Sequence, residues 1–370
     1  MPLPNAALRP IMKLRIYSMK ETDMTTIYLI RHAEADGNRY RRAHGWFNSV
    51  ITDRGYRQIA ALAARFADTK FDAVYASDRF RTMITALSVY KTHGHALHTE
   101  PRLREIDIGC WEDTPWAEIE RVDGEQLTLF NTNAEQWHVD GSERVTEVRE
   151  RMCAALREIA ERHPDGTVAV FSHGMAMRIA IGTLQGLTLH EIDKTGHAEN
   201  TAVTRLEYEN GAFRVVFRDD ASHLSDENAT LRNQAWLKNA KGFEGGICYR
   251  ASGEEGHFDV LRGGEVIGAV SVASCRGGVG TIGEFWLEEY AQRQGDGEKL
   301  IGQALSYART RGCGTLSTGR IPKTNAVGLH CAEKWGFHPV REDAESVTFE
   351  KNFDYDEEAC WEKLREMMGR

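Results

Sequence analysis

The stretch TTIYLIRHAEADGN, residues 25–38, places an apolar run, Ile27–Ile30, directly before Arg31 and His32. Such a run, bounded by polar residues, reads as a buried strand. Two further runs have the same layout: Ala73–Ala76 leads into SDRFR and Val168–Phe171 into SHGMAMR. Helical patterns follow over Arg54–Phe66, Asp78–Lys91 and Met175–Leu184, with Ser77 and Asp78 as expected N-caps, and another covers Glu143–Arg162, ended by Pro164 and Gly166. Short strands alternating with helices predict βαβ units and a mostly parallel α/β sheet.

Open parallel sheets bind ligands beyond the carboxyl ends of their strands. Those ends carry Arg31 and His32, then Arg81 one helical turn in, then His173 and Gly174; PRLREIDIGCWED adds Glu105 beside a turn that Gly109 permits. Two arginines and two histidines repel one another unless an anion sits among them. Phosphate suits the arginine fork, and histidine serves as neutral nucleophile or cationic donor. One histidine attacks and the other holds, while Glu105 protonates the leaving alkoxide as a buried carboxylic acid.

Five ordered segments carry a family resemblance. LIRHAEADGN resembles LxRHGxxxxN, GWFNSVITDRGYRQI resembles GWxDxPLTxxGxxQA, YASDRFRTMITA resembles SSxLxRAxxTA, LREIDIGCWE resembles LxExxxGxWEG, and VFSHGMAMR resembles VSHGxxxR. These are motifs of the histidine phosphatases, the phosphoglycerate mutase-like superfamily, across about residues 25–207. The resemblance implies a three-layer α/β/α fold, a pocket of Arg31, His32, Arg81 and His173, a phosphorylated His32, and Glu105 as proton donor, with no metal and no cofactor. It also implies Asn38 and Gly174 near the substrate. Ala33, Asn48 and Val50 replace the usual Gly, Asp and Pro, which leaves substrate choice open.

At 370 residues the chain is long enough for two domains. Residues 1–23 read as an extension, 24–222 as the phosphatase unit, 223–245 as a polar linker with a boundary near Ala240, and 246–370 as a smaller α+β domain. In that domain HFDVLRGGEVIGAVSVAS reads as a Gly-Gly hairpin; strands at Thr281–Leu287 and Thr315–Thr318 and helices at Glu298–Arg311 and Ala326–Lys334 follow. YAQRQGDGEKLIGQAL and NAVGLHCAEKWGF resemble the QxxGxG and NxxAxxLYEKxGF segments of GNAT acetyltransferases, which implies acetyl-CoA binding by Gln292, Gly295, Gly297 and Asn325 and an amine acceptor. Asp296 brings a negative charge to the pyrophosphate loop, and Ala332 replaces the usual acid tyrosine, leaving His330 as the alternative acid.

A formal net charge of -9 argues against nucleic-acid or anionic-membrane affinity, and seven scattered cysteines without a CxxC pair fit a reducing cytoplasm. No apolar run approaches the ~20 residues of a membrane span or a secretory signal's core. Arg41 and Arg42 read as a solvated pair as readily as substrate ligands, and His93, His95 and His98 as a helix end running into a loop. Ser172 lacks the GxSxG elbow and reads as structural. Trp111, Trp116 and Trp137 either line an apolar pocket or pack a core. The composite expectation is a metal-independent hydrolase of a small phosphomonoester fused to an acetyl-CoA-binding domain. The alternatives are a mutase-type phosphotransferase, a protein whose principal activity is N-acetyl transfer, and a CoA sensor or scaffold. The oligomeric state is not encoded in these motifs.

Overall fold

The computed structural model describes residues 24–234, 244, 246–251 and 254–369. The first 23 residues and the boundary near Ala240 lie outside the described residues.

The first sheet has the order β3-β2-β4-β1-β5-β6. Its strands are β1 (Thr25–Arg31), β2 (Ala73–Ala76), β3 (Leu97–Thr99), β4 (Thr167–Ser172), β5 (Val203–Glu209) and β6 (Ala212–Asp220). The four at the β3 side pair parallel, and β5 and β6 add an antiparallel edge. The expected parallel core is present; the antiparallel pair carries charged residues on one face and left no continuous apolar run to find. Side chains of β1 alternate between two cores: Ile30 packs on one side, Ile27 and Leu29 on the other. Helices cover both faces: α1 (Asp36–Arg39), α2 (Asp53–Arg65), α3 (Phe80–Ala86), α4 (Tyr90–His93), α5 (Trp116–Thr132), α6 (Val145–Arg162), α7 (Gly174–Leu184), α8 (Leu189–Ile192) and α9 (Thr230–Asn233).

The expected Asp78–Lys91 helix is two pieces, and its caps differ from expectation. Arg79 is the N-cap of α3 and uses no side-chain bond. Asp78 instead takes Arg79 and Arg104 as ion-pair partners, and Ser77 faces His173. His93 ends α4 and His98 lies in β3, stacked on Tyr75. Ser172 donates to Leu103 O at 2.7 Å.

The second sheet has the order β12-β13-β11-β10-β9-β8-β7. It comprises β7 (Ile247–Ala251), β8 (His257–Arg262), β9 (Glu265–Arg276), β10 (Val279–Leu287), β11 (Thr315–Pro322), β12 (His338–Glu342) and β13 (Ser346–Asn352), with helices α10 (Asp296–Thr310), α11 (Ala326–Lys334) and α12 (Glu357–Met367). The Gly-Gly hairpin joins β8 to β9, with both glycines at positive φ. Buried residues of both sheets' helices, among them Tyr40, Ile59, Ile301 and Leu305, belong to one continuous core.

Trp137 is fully buried and Trp111 is 3% exposed, ringed by Phe130 and Trp116 at centroid distances of 4.9 to 6.4 Å. Packing, not a pocket, explains these two tryptophans. Trp137→Ala is expected to destabilise the protein by about 3–5 kcal/mol, read by denaturant unfolding. A loss under about 1 kcal/mol contradicts the core assignment.

Candidate functional site: a buried histidine–arginine pocket

The ends of β1, β2 and β4 converge as parallel strand geometry dictates. The His32 and His173 rings stand 5.3 Å apart, and a third ring, His44, lies 5.7 Å from His32. His32 Nδ1 is 2.8 Å from Ala33 O. A carbonyl only accepts, so that bond puts the proton on Nδ1 and leaves the Nε2 lone pair open. His173 Nε2 shares a 2.9 Å hydrogen bond with Ser77 Oγ, and its Nδ1 is buried without a partner among the described residues.

The arginines are placed differently from the simple double fork expected. Arg81 is fully buried and gives its Nη groups to backbone carbonyls: Nη1 to Phe47 at 2.8 Å, Nη2 to Gly45 at 2.7 Å and His44 at 3.1 Å. Arg31 donates through Nη1 to Ala198 O. In both, Nε is buried and unpartnered among the described residues. Gly174 lets Arg31 lie against the start of α7, since a Cβ there would stand 3.2 Å from its Nε. Gly45 is needed for a similar reason: a Cβ would run into Ile106 O and the Glu112 carboxylate.

Glu105 is half-buried beside this cluster, near enough to favour the charge of both Arg31 and Arg81. Its carboxylate accepts from Met175 N at 3.0 Å and Ala176 N at 2.8 Å, at the N-terminus of α7. Asn38 Oδ1 accepts from Ala35 N at 3.1 Å and closes the first turn of α1. His44 is the residue that sequence reasoning passed over; its position immediately before GWFN was the available signal.

Burial, then the Arg81 charge, pushes His32 and His173 well below the ordinary 6.5, and burial with Arg81 and Arg31 does the same to His44. Burial also lowers His197 and His223 to about 4 and Arg81 to about 10. Protons therefore bind the unfolded chain first as pH falls. The stability these imidazoles contribute is complete above about 6.5 and is lost as pH drops toward their folded-state values, at up to about 1.4 kcal/mol per pH unit per group. Melting temperature is expected to fall between pH 6.5 and 4; a rise over that window contradicts the neutral pocket.

Arg41 and Arg42 are not a solvated pair. Arg42 Nε meets Asp113 Oδ1 at 2.6 Å, Arg41 Nη2 meets Glu244 Oε1 at 2.6 Å, and Arg42 is 6% exposed. The second domain covers them, a fact invisible to local sequence.

Residues 27–221 match the model of the histidine phosphatase superfamily (branch 1). The chain belongs to that superfamily. Its phosphatase domain is similar to the probable phosphoglycerate mutase GpmB of Yersinia pestis (strain Pestoides F), 30% identical over 186 residues, covering 50% of this chain and 86% of that protein. YhfR of Bacillus stearothermophilus superposes with a TM-score of 0.53 at 29% identity, over 54% of this chain and all of its own. A phosphoglycerate mutase from Bacillus anthracis str. Sterne shares the fold, with a TM-score of 0.50, 24% identity and coverage of 55% and 96%.

Residues 222–337 match the acetyltransferase (GNAT) family, so the phosphatase domain is fused to a GNAT domain. Gly295 is the left-handed N-cap of α10, with φ 83°. Asp296 is 1% exposed and pairs with Arg262 at 2.5 Å and Lys299 at 3.4 Å, so its charge is met within the fold and not turned toward a ligand as the sequence suggested. Gln292 Nε2 donates to Leu287 O at 3.2 Å, and the exposed Asn325 caps α11 by accepting from Gly328 N at 2.9 Å. Gly297 lies against the Trp335 ring. Ala332 is buried, with no acid at that position. Among the described residues no helix is long and apolar enough to cross a membrane.

Proposed function

We propose that the phosphatase domain hydrolyses a small phosphomonoester through a phosphohistidine on His32, without a metal. The observation that carries this reading is a set of buried nitrogens without a partner among the described residues, on three converging residues: Arg31 Nε, Arg81 Nε and His173 Nδ1. Buried donors without acceptors are costly, and an oxyanion supplies the acceptors. Ser77 Oγ accepts from Arg79 N at 3.3 Å and lies 2.9 Å from His173 Nε2; with the hydroxyl as the donor in that bond, His173 carries its proton on Nδ1 and presents it to the oxyanion.

His32 Nε2 attacks phosphorus, the P–O bond to the alkoxide breaks, and Glu105 as the acid hands its proton to the leaving oxygen. In the second half Glu105 takes a proton from water, whose oxygen attacks the phosphoryl group and frees His32 and inorganic phosphate. The arginines meet charge on the non-bridging oxygens. The test is brief exposure to a 32P-labelled phosphomonoester followed by quench in alkaline detergent: label on the wild type that survives alkali and is lost on later acid treatment supports the intermediate, and turnover without any such label removes it. Transfer of the label to a second hydroxyl acceptor in preference to water would favour the mutase alternative.

For the GNAT domain we infer binding of an acetyl-CoA-type thioester. The β10–β11 ladder holds only at Val279–Thr315, Gly280–Leu316 and Thr281–Ser317, while the strands continue to Leu287 and Pro322. Facing strand edges beyond the ladder offer backbone groups to an extended, amide-bearing arm such as that of CoA, and the α10 N-terminus favours its pyrophosphate. Bound, the thioester supplies an activated acetyl group for an amine. Titration calorimetry with acetyl-CoA is expected to give heat, and none at millimolar ligand contradicts this inference. A cytoplasmic setting and the absence of nucleic-acid and membrane partners remain part of the proposed reading.

A further inference from the structure

The segment that grips Arg81 is tied at both of its backbone edges. Its carbonyls, from His44, Gly45 and Phe47, take the Arg81 Nη groups. Its N–H groups go to Glu112: Trp46 N to Oε1 at 2.6 Å and Phe47 N to Oε2 at 2.8 Å. The next residue, Asp113, sits in the left-handed region at φ 53°, a conformation a non-glycine residue holds only when its surroundings fix it.

What surrounds Asp113 comes largely from the GNAT domain. Ser306 Oγ donates to Asp113 Oδ2 at 2.7 Å and Arg309 Nη1 at 3.3 Å. Arg42, bound to Oδ1 at 2.6 Å, is itself held by Gln303 at 2.6 Å and Ser306 at 2.9 Å. The Arg309 guanidinium also lies 5.0 Å from the Phe47 ring centroid and 5.4 Å from that of Phe353. Helix α10 thus touches the residue beside Glu112 and the residue whose carbonyl holds Arg81 Nη1. A second tie comes from Tyr355, whose hydroxyl donates to Asn48 O at 2.8 Å, while Asn48 Oδ1 accepts from Phe80 N, one residue before Arg81.

We propose that Ser306 and Arg309 of the GNAT domain are positioning residues for phosphoryl transfer, fixing the 44–48 segment, and with it the Arg81 guanidinium, through Asp113 and Phe47. This rests on the reading of the His32–Arg81 pocket as the phosphate site. Segments satisfied on both edges transmit a shift at one edge to the other, because a lost hydrogen bond in a buried site is not replaced by water. A displacement of about 1 Å at a catalytic contact is enough for a loss of order 100-fold, so a partial slackening is expected to cost about 10-fold.

The test is a double-mutant cycle in the full chain, read by calorimetric binding of inorganic phosphate and by kcat on para-nitrophenyl phosphate. Arg309→Ala is expected to weaken phosphate binding and lower kcat by about 10-fold each, and by less than about 2-fold when Arg81 is already lysine. Equal losses in both backgrounds overturn the proposal, because Arg309 would then act independently of Arg81. Unchanged phosphate binding in Arg309→Ala, with normal binding by wild type, overturns it while leaving the pocket reading intact. Absence of phosphate binding by wild type at millimolar concentration removes the pocket reading and the proposal together. Should Arg309→Ala fail to fold, Ser306→Ala, which deletes one hydroxyl, carries the same cycle and the same criteria.

Discussion

His32→Ala is expected to lower phosphate release from para-nitrophenyl phosphate by about 10,000-fold or more, measured with EDTA present. The magnitude follows from removing a nucleophile on which both half-reactions depend, His32 Nε2, which is left open because Nδ1 is tied to Ala33 O at 2.8 Å. The imidazole is already neutral at pH 7 because burial and Arg81 hold it well below 6.5, so wild-type activity needs no base to prepare the attack. The residual rate in the variant reports what binding and the arginines achieve alone. Activity within about 10-fold of wild type would exclude His32 as the nucleophile.

Arg81→Ala is the second large effect, expected at about 1,000-fold in kcat/KM with a loss of stability. Its side chain has two functions that the substitution removes together. Its Nε is buried without a partner among the described residues and, in the proposed reading, meets the phosphoryl oxygens, where removal of one donor to developing charge costs on the order of 100- to 1,000-fold. It also satisfies the carbonyls of His44, Gly45 and Phe47, and each acceptor left buried costs about 1–3 kcal/mol. Arg81→Lys separates the two: the charge remains, but the planar fork that bridges those carbonyls does not. Kinetics alongside thermal melting reads both, and an Arg81→Ala protein with wild-type kcat/KM contradicts any role in transfer.

Much of this site was legible in the chain because its residues follow directly from strand ends. Arg31, His32, His173 and Gly174 occupy positions fixed by β1 and β4, and a short apolar run followed by an unusual polar pair marks such ends. The GNAT α11 has the bounds expected from sequence, Ala326–Lys334, while the capping role of Asn325 emerged only in the structure. Other features depend on residues distant in sequence. The Asp78 carboxylate had two arginines nearby, one of them 26 positions away, so its local preference for capping a helix lost to ion pairing. Arg41 and Arg42 read as surface residues because nothing near them in sequence announces Glu244, Asp113 or Gln303. Strands β5 and β6 were missed since their apolar and charged residues alternate without an uninterrupted run.

The shared core bears on how the protein lives and dies in solution. Tyr40 sits so close to Gly302 that a Cβ on the glycine would come within 2.7 Å of it, and Asp36 meets Lys351 at 3.3 Å with both nearly hidden. The seam joins apolar residues of the shared core to ion pairs that cross between the halves, such as Asp36–Lys351 and Asp113–Arg309. Heating should therefore give one calorimetric transition for the whole chain, and a protease that nicks the connecting segment should leave the two fragments travelling together on a sizing column. A gene encoding only the first 234 residues would produce a polypeptide with its flank stripped bare, prone to clump with its own kind before it ever met a phosphate ester.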